Sequence, residues 1–149
     1  MYLLSKKSSL ALEAVLDVAY NARPNPVQSK DITERQGIQS RYLEQVLQFL
    51  VKRGVLKGVR GPKGGYTLAM ERRRLTLGDV LRVIEDLENE DDKMESVSEL
   101  SQKIIQPIWA EFHNEMLARL DKITLEDMCQ RAQDAGVQRA GGDGTDFII

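Results

Sequence analysis

The sequence predicts a mainly α-helical fold with one small β-hairpin, and three observations carry that prediction. Apolar residues recur at helical spacing through residues 8–20, 40–50 and a long stretch beyond Leu100. Two short β-type runs, 55–59 and 66–69, flank the turn Arg60-Gly61-Pro62-Lys63-Gly64-Gly65. The chain has 149 residues, 42% hydrophobic and 30% charged, which suits one compact domain with an appended element rather than two independent folds.

The first helix places Leu10, Leu12, Val15, Leu16 and Ala19 on one stripe, with Glu13 and Asp17 four apart on another face. Arg23-Pro24-Asn25-Pro26 ends it. A short helix over 29–36 follows, with Ser29 as N-cap and Gly37 as a left-handed stop. The next helix starts almost at once. Ser40 is its expected cap, Tyr42, Leu43, Val46, Leu47 and Leu50 repeat along it, and Gly54 closes it. Two helices joined around a glycine and followed by a basic hairpin have the form of a winged helix-turn-helix.

After Arg72-Arg73-Arg74, Thr76 and Asp79 have the spacing of a capping box, opening a helix to about Leu87. Residues 89–98 are polar and acidic without apolar period, and read as a loop. Then Ile104, Ile108, Phe112, Met116 and Leu120 stand four apart, with Ile105, Trp109 and Leu117 beside them. Such an apolar stripe calls for a partner. Pro107 either kinks this helix or marks its first turn. Thr124 starts a last short helix, and residues 136–149, which include four glycines, are expected to be a disordered tail.

Composition removes most catalytic classes. Cys129 and His113 are the single cysteine and histidine, so neither an intramolecular disulfide nor a conventional His/Cys metal cage can be built. The glycine-rich turn lacks the order of a Walker loop and has no helix behind it. The acidic run over 85–99 lacks the ligand spacing and central glycine of a calcium loop. No metal, cofactor or enzymatic activity is expected, and buried packing is the favoured role for Cys129 over redox chemistry. No apolar run approaches the roughly 20 residues of a membrane-spanning helix. The N-terminus lacks a signal-peptide pattern, and the chain reads as cytoplasmic.

The net charge of −2 hides a strong asymmetry. Residues 1–75 carry a balance of +8 and residues 76–149 one of −10. A basic half joined to an acidic half suits a protein whose first part meets a polyanion. Ser40, Arg41, Tyr42, Glu44 and Gln45 lie in the first turns of the second helix of the motif, the part that meets base edges in DNA. Gln45 suits adenine, Arg41 guanine or phosphate, and Glu44 cytosine. Arg60 and Lys63 lie on the wing, where a cation can enter a minor groove or bind phosphate.

Three stretches carry a closer resemblance: Asp31-Ile32-Thr33-Glu34-Arg35-Gln36-Gly37-Ile38, Tyr42-Leu43-Glu44-Gln45 and Val59-Arg60-Gly61-Pro62-Lys63-Gly64-Gly65-Tyr66. Together with Trp109 and Ile123-Thr124-Leu125, they resemble the Rrf2 family of bacterial transcription regulators, nearest its iron–sulphur cluster regulators, over roughly residues 1–130. The resemblance implies a homodimeric DNA-binding regulator, most often a repressor, whose long helix crosses between subunits so that two winged domains read a palindromic operator. It carries over Tyr42, Glu44 and Gln45 as recognition-helix contacts and Arg60 as the wing residue in the minor groove.

The chain departs from the cluster-binding members at the site that defines them. They place three cysteines between the linker helix and the long helix, often with a histidine behind, whereas residues 88–106 here contain neither. Lys103 stands near the last cysteine position and Gln106 near the histidine. No family-type cluster is therefore expected. The expected organisation is a winged helix-turn-helix DNA-binding domain over 1–75, a linker helix and acidic loop over 76–99, dimerisation helices over 100–135, and the tail. The sequence leaves the switch open between a small molecule held near Trp109 and Phe112 and a protein partner. From another class, the chain reads as an interaction adapter whose winged fold has stopped reading DNA.

Overall fold

A computed structural model describes residues 4–22, 25–91 and 98–140. α1 spans Lys6–Asn21, α2 Ser29–Gln36 and α3 Ser40–Lys52. The antiparallel strands β1, Leu56–Val59, and β2, Gly65–Leu68, follow. α4 spans Leu77–Asp91, a π-helical segment Ser101–Ile105 runs into α5, Gln106–Leu120, and α6 covers Leu125–Asp134.

Helical periodicity places one core among these elements. Ala11, Val15 and Val18 of α1 meet Ile32 of α2, Leu43, Leu47 and Leu50 of α3, and Val80 and Ile84 of α4, all nearly inaccessible to solvent. Each large aliphatic side chain buried here stabilises the fold by about 2 kcal/mol. α1 is the central rod, packed against α2, α3, α4, α6 and β2.

Asp17 departs from the solvated face that its spacing with Glu13 suggests: its side chain is fully buried. Arg35 donates Nε and Nη2 to its two carboxylate oxygens at 2.9 and 2.8 Å, and Gln36 donates Nε2 at 2.8 Å. Three donors from α2 thus satisfy a carboxylate that α1 carries inward, which removes most of the penalty of burying it.

The helix starts are partly those expected. Gly37 ends α2 at φ 68°, in the left-handed region. Gln28 and Gln39, rather than Ser29 and Ser40, occupy the N-cap positions of α2 and α3, and neither caps through its side chain. Ser40 is the first residue of α3 itself. Thr76 and Asp79 do form the expected capping box, with backbone-to-side-chain bonds of 3.0 and 3.1 Å. Thr124 and Asp127 repeat it at α6. The two boxes lie side by side: Leu77 N–H donates to Ile123 O at 2.7 Å and Leu125 N–H to Leu75 O at 2.9 Å. Gly78 lets the junction close tightly: a Cβ there would stand 2.0 Å from Asp121 Oδ1 and push aside the carboxylate that Arg82 binds.

The wing is anchored from behind. Val27 and Tyr66 exchange backbone hydrogen bonds of 3.0 and 2.7 Å, adding a bridge outside the Leu56↔Leu68 to Val59↔Gly65 register. A Cβ on Gly65 would sit 2.4 Å from Val27 O, so only glycine permits this approach.

α4 continues four residues past Leu87, into the stretch expected to be a loop; no Gly or Pro stops it. The rest of that expected loop, residues 92–97, lies outside the described residues. Pro107 lies in the first turn of α5, one of the two expected placements, and the helical path runs into it from the π segment. Without an N–H it cannot bond the carbonyl of Lys103, and just upstream the ladder widens to the π pattern, with Gln106 N–H donating to Ser101 O. Helical dihedrals persist at Leu100 and Ile105. Beyond Gly136, the described part of the tail lies against α1: Tyr20 donates its hydroxyl to Val137 O at 2.5 Å, and Ala140 N–H donates to Asn21 Oδ1 at 2.8 Å.

Candidate nucleic-acid interface

The turn through Gly37 sets α3 across the body so that its two faces separate by chemistry. Leu43, Val46, Leu47 and Leu50 point inward, while Ser40, Arg41, Glu44 and Gln45 are exposed. The side chains of Arg41, Glu44 and Gln45 make no hydrogen bond or ion pair among the described residues. They are presented to whatever meets this face.

Tyr42 is placed differently from its neighbours. It is half-buried against the core, and its hydroxyl donates to Lys7 O at 2.8 Å. That bond ties the start of α1 to the start of α3, adding exposed Lys6 and Lys7 to the surface around the recognition helix. Sequence spacing could not reveal this, since Lys7 and Tyr42 meet only through the tertiary fold. The Lys6-Lys7 pair itself was the one visible signal.

The wing tip turns tightly, with Gly64 N–H donating to Gly61 O at 2.9 Å. Arg60 and Lys63 on it are exposed and have no ion-pair partner among the described residues. Gln28, at the entry to α2, reaches Pro62 O at 3.5 Å and so touches the back of the tip. Other arginines are engaged: Arg53 with Asp86 at 2.8 Å, Arg72 with Glu126 at 2.6 Å and Arg82 with Asp121 at 2.7 Å. Unpaired guanidinium groups on α3 and the wing leave charge available for phosphate.

The long helix carries a second exposed surface. Leu100, Ile104, Ile105, Ile108, Trp109 and Phe112 are all solvent-facing, with Trp109 60% and Phe112 65% exposed. Among the described residues, α5 packs chiefly on α4 and on the π segment before it; Leu117 is its buried residue, and His113 Nε2 lies 3.0 Å from Glu85 Oε1. Phe112 borders an open groove shared with Met116, Arg119 and Ile123.

The Rrf2 family pattern, described as an iron-dependent transcriptional regulator, matches residues 4–131. The candidate HTH-type transcriptional regulator slr0846 of Synechocystis is 33% identical over 98% of this chain and 99% of its own length. HTH-type transcriptional regulator IscR of Vibrio cholerae is 43% identical over 83 residues, which cover 56% of this chain and about half, 48%, of that relative. Among solved structures, T. potens IscR superposes with a TM-score of 0.71 at 33% identity over 93% of both chains. CymR, the global cysteine regulator of B. subtilis, superposes with a TM-score of 0.67 at 27% identity, covering 88% of this chain and 98% of CymR.

The residues present do not fit an iron–sulphur cluster. Cys129 is buried on α6, and the groups nearest the family's ligand positions are an ammonium and an amide. Lys103 Nζ bonds Glu99 at 3.1 Å and Gln106 Nε2 bonds Ser101 Oγ at 3.1 Å. Among the described residues, no three His, Cys, Asp or Glu side chains are gathered as a metal site would need. Nor is any described helix long and apolar enough to cross a membrane.

Proposed function

The chain belongs to the Rrf2 family of transcriptional regulators, and from that premise we propose that it reads double-stranded DNA as a homodimer on a palindromic operator, acting as a repressor in the cytoplasm without a family-type cluster. The observation that carries this reading is the set of unspent side chains on α3 and the wing. Arg41, Glu44 and Gln45 face outward from α3, and Arg60 and Lys63, unpaired among the described residues, stand on a hairpin fixed by the Val27–Tyr66 bridge. In this reading Gln45, Glu44 and Arg41 contact base edges, and Ser40 bonds backbone phosphate. Tyr42 touches the duplex with its exposed edge while holding the start of α1 in place. Arg60 enters the minor groove and Lys63 neutralises phosphate.

The second copy is the occupant that best suits the long helix. Six large apolar side chains exposed along one element have no place in a monomer, and a two-fold partner offers the same stripe in return. A dimer also sets two recognition helices at a fixed spacing, which is what makes a palindrome the matching operator. Residues 1–75 then form the reading head, 76–99 the connection and 100–135 the dimer arm.

Selection of fragmented genomic DNA by the purified protein, prepared without oxygen and with its visible absorption recorded first, tests the proposal. Enrichment of a palindrome by a colourless protein is expected. A coloured protein overturns the cluster-free reading, and failure to enrich any duplex, with or without cell extract, favours the adapter.

A further inference from the structure

A cavity of about 370 Å³ lies away from both surfaces described above, between α1, the end of α2, α6 and the segment after Gly136. Leu16, Tyr20, Ala132 and Val137 supply apolar wall, and Glu13 and Arg35 supply charge. The segment covering it is held in place. Besides the Tyr20–Val137 and Asn21–Ala140 bonds, Arg139 donates Nε to Tyr20 O at 3.2 Å and lies 5.9 Å from the centre of the Tyr20 ring.

The charged groups differ in what they have left to give. Asp17 is fully used by Arg35 and Gln36. Arg35 uses Nε and Nη2 on Asp17, which leaves its Nη1 edge, and its side chain is 27% exposed. Glu13 has no hydrogen bond or ion pair among the described residues. One free carboxylate and one half-spent guanidinium therefore share a largely apolar chamber. A simple anion would be opposed by Glu13 and Asp17, and a simple cation would leave the Arg35 edge unmatched. The complement is a molecule carrying both charges on a small apolar body.

We propose that this cavity binds a free amino acid with an apolar side chain, its ammonium on Glu13 and its carboxylate on Arg35 Nη1, and that occupancy alters DNA affinity. Arg35 and Gln36 are the last residues of α2, one residue from the Gly37 turn that aims α3, while Ala132 belongs to α6, which follows the long helix. A ligand gripping Arg35 thus acts on the hinge between the two helices of the reading motif. The effect on DNA rests on the proposed function above; the binding does not.

Thermal unfolding of the full chain with each of the common L-amino acids at millimolar concentration tests the binding. At tenfold above Kd an apolar amino acid should raise Tm by about 3 °C or more. The N-acetyl and carboxamide forms of the same amino acid, each lacking one charge, should not. Glu13→Gln and the cavity-filling Val137→Trp should both abolish the shift. No shift with any amino acid, equal shifts with the blocked forms, or a shift surviving both variants overturns the site. With the stabilising amino acid in hand, duplex affinity should change by about fivefold or more. Unchanged affinity overturns the effector role, whereas a protein that takes the amino acid and binds no duplex at all contradicts the DNA-reading proposal instead.

Discussion

In the proposed DNA complex, Arg60 and Gln45 divide affinity from choice. Arg60 stands at the base of the wing tip with its charge unspent, so Arg60→Ala should weaken operator binding by about 1 to 3 kcal/mol. Gln45→Ala should instead flatten preference among operator variants while leaving binding to unrelated duplex nearly intact. Titration of operator and scrambled duplexes against both variants separates the two; an equal loss on every sequence for Gln45→Ala would count against direct base readout. These positions were legible because a helical period that puts Leu43, Val46 and Leu47 inward leaves Arg41, Glu44 and Gln45 outward. Tyr42 and Asp17 were less legible. The hydroxyl of Tyr42 reaches Lys7, and Asp17 meets Arg35 and Gln36, across contacts that no local spacing encodes.

At the scale of elements, the twin capping boxes tie the start of α4 to the last helix. The Thr124 backbone and side-chain hydrogen bonds hold the Asp127 carboxyl below the usual aspartate range, and the Arg82 guanidinium does the same for Asp121. A carboxylate whose pKa is lowered by folding adds stability at neutral pH and loses it as pH falls through the folded value. Stability should therefore drop below about pH 4, where free aspartates take up protons. Asp121→Asn and Asp127→Asn should each lower Tm at neutral pH and flatten that acid limb; an unchanged limb in both would show that these bonds do not couple to folding. The first box was legible as Thr76-x-x-Asp79, whereas Thr124 was read only as a helix start although the same Thr-x-x-Asp spacing stands there. The caps of α2 and α3 were misplaced by one residue because serine favours an N-cap without compelling it, and here glutamines precede the first turns. For the long helix, the proposed dimer predicts that Trp109→Glu combined with Phe112→Glu sediments as a folded monomer and loses most of the operator affinity. A double variant that still sediments as a dimer would place the subunit contact elsewhere.

Over the whole molecule, the division between a basic first half and an acidic second half matches the separation of surfaces. The cations of α3 and the wing, unpaired among the described residues, belong to the first, and the second carries the apolar arm. Fold class was legible because period, glycine placement and the basic turn agreed. The cavity under the C-terminal segment was not, since it is assembled from α1, α2, α6 and residues 137–138, each unremarkable alone. The missing cluster ligands, by contrast, needed only the sequence. Duplex affinity of the purified protein measured across a range of salt concentrations bears most directly on the claim that the chain reads DNA. A DNA reader should show log K falling linearly with log salt, with a slope near −0.9 for each phosphate neutralised, and operator binding more tightly than scrambled duplex throughout. Absence of duplex binding at low salt, or binding indifferent to salt, would contradict that claim.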